Sequence, residues 1–145
     1  NSFTSERIKK MNFENDKYKV SIDFDIKTYE IDIAHHVNNM VYIKWIEDLR
    51  SKLFDKIISI DQLLQMNLYP VVVSTNIFYK KQIKLGDKLK GIMYIDSIKH
   101  NLINLKIHFL NKEKICACAE QRCVLLNLIN GKIDKEKLKF LIKDE

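Results

Sequence analysis

From Lys19 to Thr28 apolar and polar residues alternate. Val20, Ile22, Phe24 and Ile26 fall on one side and Ser21, Asp23 and Asp25 on the other, the period-two pattern of a half-buried strand. At Asn38 the period changes. Tyr42, Trp45, Ile46, Leu49 and Leu53 recur at spacings of three and four, which places them on one helix face, while Lys44, Asp48, Ser51 and Lys52 lie elsewhere on it. Ser59 to Met66 reads as a short second helix with Ser59 as its cap. After Pro70 the chain turns β-rich. Strands are expected over Val71–Tyr79, Leu89–Ile98, Ile103–Leu110 and Ile115–Leu128, parted by a turn at Gly86-Asp87 and by the short stretches KHN and NKEK. Asn130-Gly131 makes a further turn, and Lys135 to Ile142 is expected as a short terminal helix or an irregular tail.

The order is thus strand, long helix, then four strands joined mostly by short loops. Short connections imply antiparallel neighbours. One long apolar helix against one antiparallel sheet is an α+β arrangement of two layers, with the sheet wrapped around the helix. Such a sheet has edges, and pairing like edges across a two-fold axis removes one of them, so a homodimer or a dimer of dimers is expected.

Composition narrows the organisation. At 145 residues the chain suits one domain with a full core and no need of disulfides or metals. One Pro and three Gly leave no linker to divide it. Residues 1–16 are polar and expected to be a flexible N-terminal segment, with a single domain over residues 17–145. The formal net charge of +6 would suit an anionic partner, such as a phosphorylated ligand or an acidic carrier protein, or simply reflect a Lys-rich solvated surface. No aromatic-basic nucleic-acid module is visible, so no nucleic-acid partner is expected. Cys116, Cys118 and Cys123 are an odd number without a second pair at metal-ligand spacing. Cys116 and Cys118 are expected on one face of a strand as buried thiols in a reducing compartment. No apolar stretch approaches a membrane span and no signal peptide is seen, so a cytoplasmic or organelle-lumen protein is expected.

The chemistry is crowded at one junction. Between the first strand and the long helix lie Asp32, His35, His36, Asn38 and Asn39. Asp32 is either an Asx-turn residue or a general base or nucleophile at a partly desolvated site. His36 is four residues away, close enough for a carboxylate–imidazole contact, and His35 beside it is expected to point outward. Neither imidazole stands with a Cys or Glu at zinc-binding spacing, and no metal or cofactor is expected. One of the two Asn residues caps the helix. The capped end also presents backbone N–H groups with a favourable dipole, able to hold a carbonyl oxygen that gains negative charge. A carboxylate, an imidazole and a donor-rich helix start are the parts needed to hydrolyse an activated acyl group.

The run DIAHHVNNMVYIKWIED resembles the signature of hotdog-fold acyl thioesterases. It is similar both to the 4-hydroxybenzoyl-CoA thioesterase family and to the plant acyl-carrier-protein thioesterases, whose HVNN-containing pattern is matched by Asp32, His36, Val37, Asn38, Asn39, Tyr42 and Trp45. The stretch YKKQIKLGDKL likewise resembles the family's strand-to-turn segment. The resemblance implies a hotdog fold and an acyl-CoA or acyl-carrier-protein thioester as substrate. It implies Asp32 as the catalytic carboxylate, His36 as a histidine orienting Asp32 or the substrate, and the helix-start N–H at Asn39 as the oxyanion donor. Asn38, Tyr42 and Gln82 are candidates for substrate binding, with Gln82 expected from the partner subunit. Two positions depart from the plant pattern: Ala34 stands where those enzymes carry Asn, and Gln82 near where they carry Glu. Both favour the simpler one-carboxylate mechanism. Tyr42, Trp45 and Ile46 also read as core, and Glu47 as a solvated charge or a group reaching the partner's acyl site. Lys80, Lys81 and Lys84, with Lys88 and Lys90 nearby, read either as an edge that blocks aggregation or as a clamp for CoA phosphates or an acidic carrier. The competing function is an acyl-CoA or acyl-carrier-binding protein of the same fold without hydrolysis. A dehydratase is disfavoured by HVNN.

Overall fold

The computed structural model describes residues 18–142. The segment 1–16, expected to be flexible, lies outside the described residues. Five strands form one sheet: β1 (Lys19–Asp25), β2 (Leu68–Tyr79), β3 (Lys88–Lys99), β4 (Leu102–Asn111) and β5 (Lys114–Asn127). Helix α1 (Asn39–Ile57) is the 19-residue helix expected from the apolar spacing, and α2 (Ile60–Gln65) and α3 (Leu138–Leu141) are short. The strand order is β1-β3-β4-β5-β2, with every pair antiparallel.

Local sequence explains the hairpins. His100-Asn101 and Lys112-Glu113 are two-residue loops in which both residues have positive φ, the twist-matched turn of a tight hairpin. β2 departs from the expected Val71 start. It begins at Leu68 and runs through Pro70, which pairs with Leu125. Pro lacks an amide donor and is tolerated here because β2 is an edge strand.

The alternation of β3, β4 and β5 puts Met93, Ile103, Leu105, Ile107, Phe109, Ala117 and Ala119 into one core with α1. From the helix Tyr42, Trp45, Ile46, Leu49, Leu53 and Phe54 enter it. Each full burial of such a side chain stabilises by about 1.5–3 kcal/mol. Gly91 on β3 shows how tightly the layers meet. A Cβ there would lie 2.7 Å from Cε2 of Phe24 and 3.0 Å from Cδ1 of Leu49, so the absence of a side chain lets β1 and α1 close on β3.

One expectation fails at β5. The pairing shifts between Phe109 and Leu110, which leaves Cys116 as an extra residue in a bulge between Ile115 and Ala117. The bulge breaks the strict alternation. Cys116 joins the core with Ala117, whereas Cys118 pairs with His108 and lies outside that core cluster. Cys116 and Cys118 are free and buried, as expected, and so is Cys123.

Candidate active site

The loop before α1 is tied by its own backbone and by Asp32. The N–H of Asp32 donates to the carbonyl of His36 (2.9 Å) and that of His35 to the carbonyl of Asp32 (3.0 Å). His35 takes φ of +66°, which lets the chain reverse. Oδ1 of Asp32 accepts from the Ala34 N–H at 2.9 Å, an Asx-turn, and from the His36 N–H at 3.4 Å. Oδ2 of Asp32 takes no hydrogen bond among the described residues. One oxygen of the carboxylate therefore shapes the loop, and the other takes no part in holding it. The link to His36 runs through its backbone N–H.

The loop is clamped onto the body of the protein at its end. The Val37 N–H donates to the Ile83 carbonyl and the Asn38 N–H to the Glu30 carbonyl, both at 2.8 Å. Asn38 is the cap of α1, its side-chain oxygen accepting from the Met40 N–H at 2.9 Å. Asn39 is the first helical residue, so its N–H lies at the positive end of the helix, ahead of the internal hydrogen-bond ladder.

On the facing side, β2 ends at Tyr79 and the chain turns. The N–H groups of Lys80 and Lys81 both donate to the carbonyl of Cys116, at 2.8 and 2.9 Å. The β5 bulge supplies that carbonyl. The turn carries Lys80, Lys81 and Gln82 back beside Val37. Together the two segments enclose a cavity of about 430 Å³ lined by Asp32, His36, Val37, Asn39, Tyr42, Tyr79, Lys80, Lys81, Gln82 and Ile83.

The structure thus brings Asp32, His36, Asn39, Tyr42, Gln82, Lys80 and Lys81 around one space. Asn38 and Lys84 are not among the lining residues. Asn38 is committed to capping, and the Lys84 N–H closes the following turn on Asp87 at 2.9 Å. Gln82 lines the cavity of its own chain, the double hydrogen bond to Cys116 folding its segment inward. Val37, Tyr79 and Ile83 are additions. Tyr79 is the last residue of a strand whose inner side also carries Ile77, and that alternation was the available signal.

Tyr42 closes the cavity on the core side. Its ring meets those of Trp45, Tyr79 and Phe109 edge-on, with centroids 5.1–5.2 Å apart. Burial, helped by neighbouring Cys116 and Tyr79, pushes its hydroxyl well above the usual range, so it stays protonated. Burial also raises Tyr79 and Cys116. Among the described residues no group of His, Cys, Asp and Glu is arranged to hold a metal ion, and no helix is long and apolar enough to cross a membrane.

A five-stranded antiparallel sheet carrying one 19-residue helix, with a carboxylate and a helix start opening on one cavity, defines the class. The chain belongs to the thioesterase-like superfamily, whose match spans residues 26–137. It is an enzyme with thioesterase activity. No curated protein matches it closely enough in sequence to be counted a relative. Among solved structures it is similar to the DHNA-CoA thioesterase from Staphylococcus aureus at 17% identity, covering 84% of this chain and 83% of that one, with a TM-score of 0.74. It is similar to a thioesterase complexed with coenzyme A and Zn from Thermus thermophilus at 21% identity, covering 89% and 95%, TM-score 0.72. A third is the hypothetical protein SAV2348 from Staphylococcus aureus in complex with CoA, at 14% identity, covering 81% and 76%, TM-score 0.75. At these identities the likeness is one of fold, the hotdog fold of thioesterases.

Proposed function

We propose that the protein hydrolyses acyl-CoA thioesters at the cavity between the α1 start and the end of β2. The observation that carries this reading is that Asp32, Asn39 at the N–H end of α1 and the lysines Lys80 and Lys81 all border one space. The thioester carbonyl oxygen lies against the Asn39 N–H, which stabilises the negative charge that develops on it. Asp32 Oδ2 takes a proton from water, and the hydroxide adds to the carbonyl carbon. Alternatively Asp32 attacks the carbonyl itself and water then cleaves the anhydride. In either route the C–S bond breaks, the acyl carbon gains the oxygen of water, and the leaving thiolate takes up the proton. His36 orients Asp32 or the substrate, Tyr42 and Gln82 border the acyl group, and Asn38 acts by fixing the helix end.

Lys80 and Lys81 face the CoA phosphates in this reading, with Lys84 outside the cavity as a more distant charge. CoA is preferred to an acyl-carrier protein because two structures of this fold were solved with CoA bound. The unit is a homodimer or a dimer of dimers. β2 is an edge strand that exposes Val72, Val73, Phe78 and Tyr79, and pairing with a second copy would cover it. One assay tests the hydrolytic reading. Release of free thiol from a panel of acyl-CoAs above the uncatalysed rate supports it. Binding of the same panel with no thiol release would overturn it.

A further inference from the structure

A polar network lies on the inner side of the sheet, away from the cavity. Gln121 on β5 is buried, and both ends of its amide are engaged. Its Oε1 accepts from Arg50 of α1 at 2.9 Å, and its Nε2 donates to Oγ1 of Thr75 on β2 at 3.0 Å. Arg50 in turn forms a two-pronged ion pair with Glu47, one turn earlier on α1. The donor-only guanidinium sets the amide's orientation, which leaves the –NH₂ facing Thr75. Because Thr75 Oγ1 accepts there, its own proton is directed elsewhere. Thr75 is exposed on the edge strand. The chain Glu47–Arg50–Gln121–Thr75 therefore ends in a hydroxyl donor made stronger by the charge-assisted bond behind it.

The donor lies outside the cavity lining but on the same strand face as one of its residues. Thr75, Ile77 and Tyr79 pair with Gln121, Ala119 and Ala117, so all three point to the same side of β2. Tyr79 lines the cavity and touches Tyr42. Thr75 lies four residues further along the strand, roughly 13 Å at the usual rise. Arg50 lies eight residues along α1 from Tyr42, roughly 12 Å at the helical rise. Strand and helix thus run side by side for the same distance, with an aromatic pair at one end and the polar network at the other.

We propose that Thr75 is a specificity-determining residue, donating a hydrogen bond to an oxygen at the far end of the acyl group, so that the enzyme prefers acyl chains bearing a distal hydroxyl. Gln121 and Arg50 are positioning residues that hold the Thr75 hydroxyl as a donor. The inference rests on the acyl-CoA reading above and deepens it. The methyl-ended parent offers that donor no oxygen, and discrimination follows from the missing hydrogen bond.

The test uses pairs of acyl-CoAs of equal length, one ω-hydroxylated and one not, together with the corresponding non-hydrolysable thioethers of CoA. The wild-type protein is expected to favour the hydroxylated member by about tenfold to a hundredfold in kcat/KM and in thioether affinity. Thr75→Val, which keeps shape and removes the donor, should erase that ratio, and Thr75→Ser should restore it. Hydrolysis without preference at any chain length, or a ratio that survives Thr75→Val, overturns the proposal while leaving the thioesterase reading intact. If no thiol is released, the thioether affinities decide alone: a hydroxyl preference lost in Thr75→Val supports the assignment, and its absence overturns it.

Discussion

The first turn of α1 and the middle of the same helix have opposite characters. At its start Asn39 opens on a cavity and Met40 is exposed, and the preceding loop is held by backbone hydrogen bonds and one Asx-turn. Two turns on, Trp45, Ile46 and Leu49 are at most 2% exposed and pack in the core, on the helix that meets β1 and β3. One continuous helix thus serves two ends. Its middle stabilises the fold through apolar burial, and that rigidity fixes the direction of its donor-rich N-terminus. Substitutions at the buried apolar positions of the middle, Trp45, Ile46 and Leu49, should move stability with little effect on chemistry per folded molecule, and substitutions at the start should do the reverse.

The largest expected effect breaks the comparison from the stable side. Leu49→Ala leaves a cavity between Phe24, Gly91 and the helix and should cost about 2–5 kcal/mol in urea unfolding. Activity per folded molecule should change far less. A Leu49→Ala protein of unaltered stability would show that the helix middle does not anchor the core.

A pH effect of about 2–3 kcal/mol comes next. Burial pushes the Cys123 thiol from 9.0 up to about 11, against a smaller lowering by Arg50. Between those values the folded protein keeps a proton that the unfolded chain has released, so stability is complete below about pH 9 and falls as pH rises towards 11. Cys123→Ala should flatten part of that decline, measured by urea unfolding at about pH 8.5 and 10.5. An unchanged slope would remove Cys123 as its cause.

The smallest effect sharpens the cavity end. Lys80→Gln with Lys81→Gln should raise KM for acyl-CoA severalfold at low ionic strength with kcat nearly unchanged, and the difference should shrink in high salt. Lys84→Gln, outside the lining, should raise it less. Equal effects from all three would make the charge a diffuse field in place of a local contact.

Much of this was legible in the sequence for a physical reason. Local periodicity is written in local residues, so the spacing of Tyr42, Trp45, Ile46, Leu49 and Leu53 located α1, and the alternation after Pro70 located four strands. The cap at Asn38 and the crowding from Asp32 to Asn39 are local too. What depends on distant partners was not visible. The crossing of β2 to the far edge beside β5 leaves no mark in either strand alone. The Cys116 bulge, which reverses the facing of the cysteines and folds Lys80 to Gln82 towards Val37, is set by the register against β4. Pro70 looked like a boundary because its tolerance depends on the edge position that the fold assigns to β2. The network from Arg50 to Thr75 joins three elements and follows from the assembled fold.

The most direct measurement compares thiol release from acyl-CoAs by the wild-type protein and by Asp32→Asn. Asn retains a side-chain oxygen for the Ala34 N–H, so the Asx-turn and the unfolding midpoint should persist while the base or nucleophile is gone. A fall in kcat of roughly a hundredfold or more is expected, with an unchanged midpoint. Wild-type turnover in Asp32→Asn would contradict the assignment of Asp32, and with it the mechanism built on the start of α1.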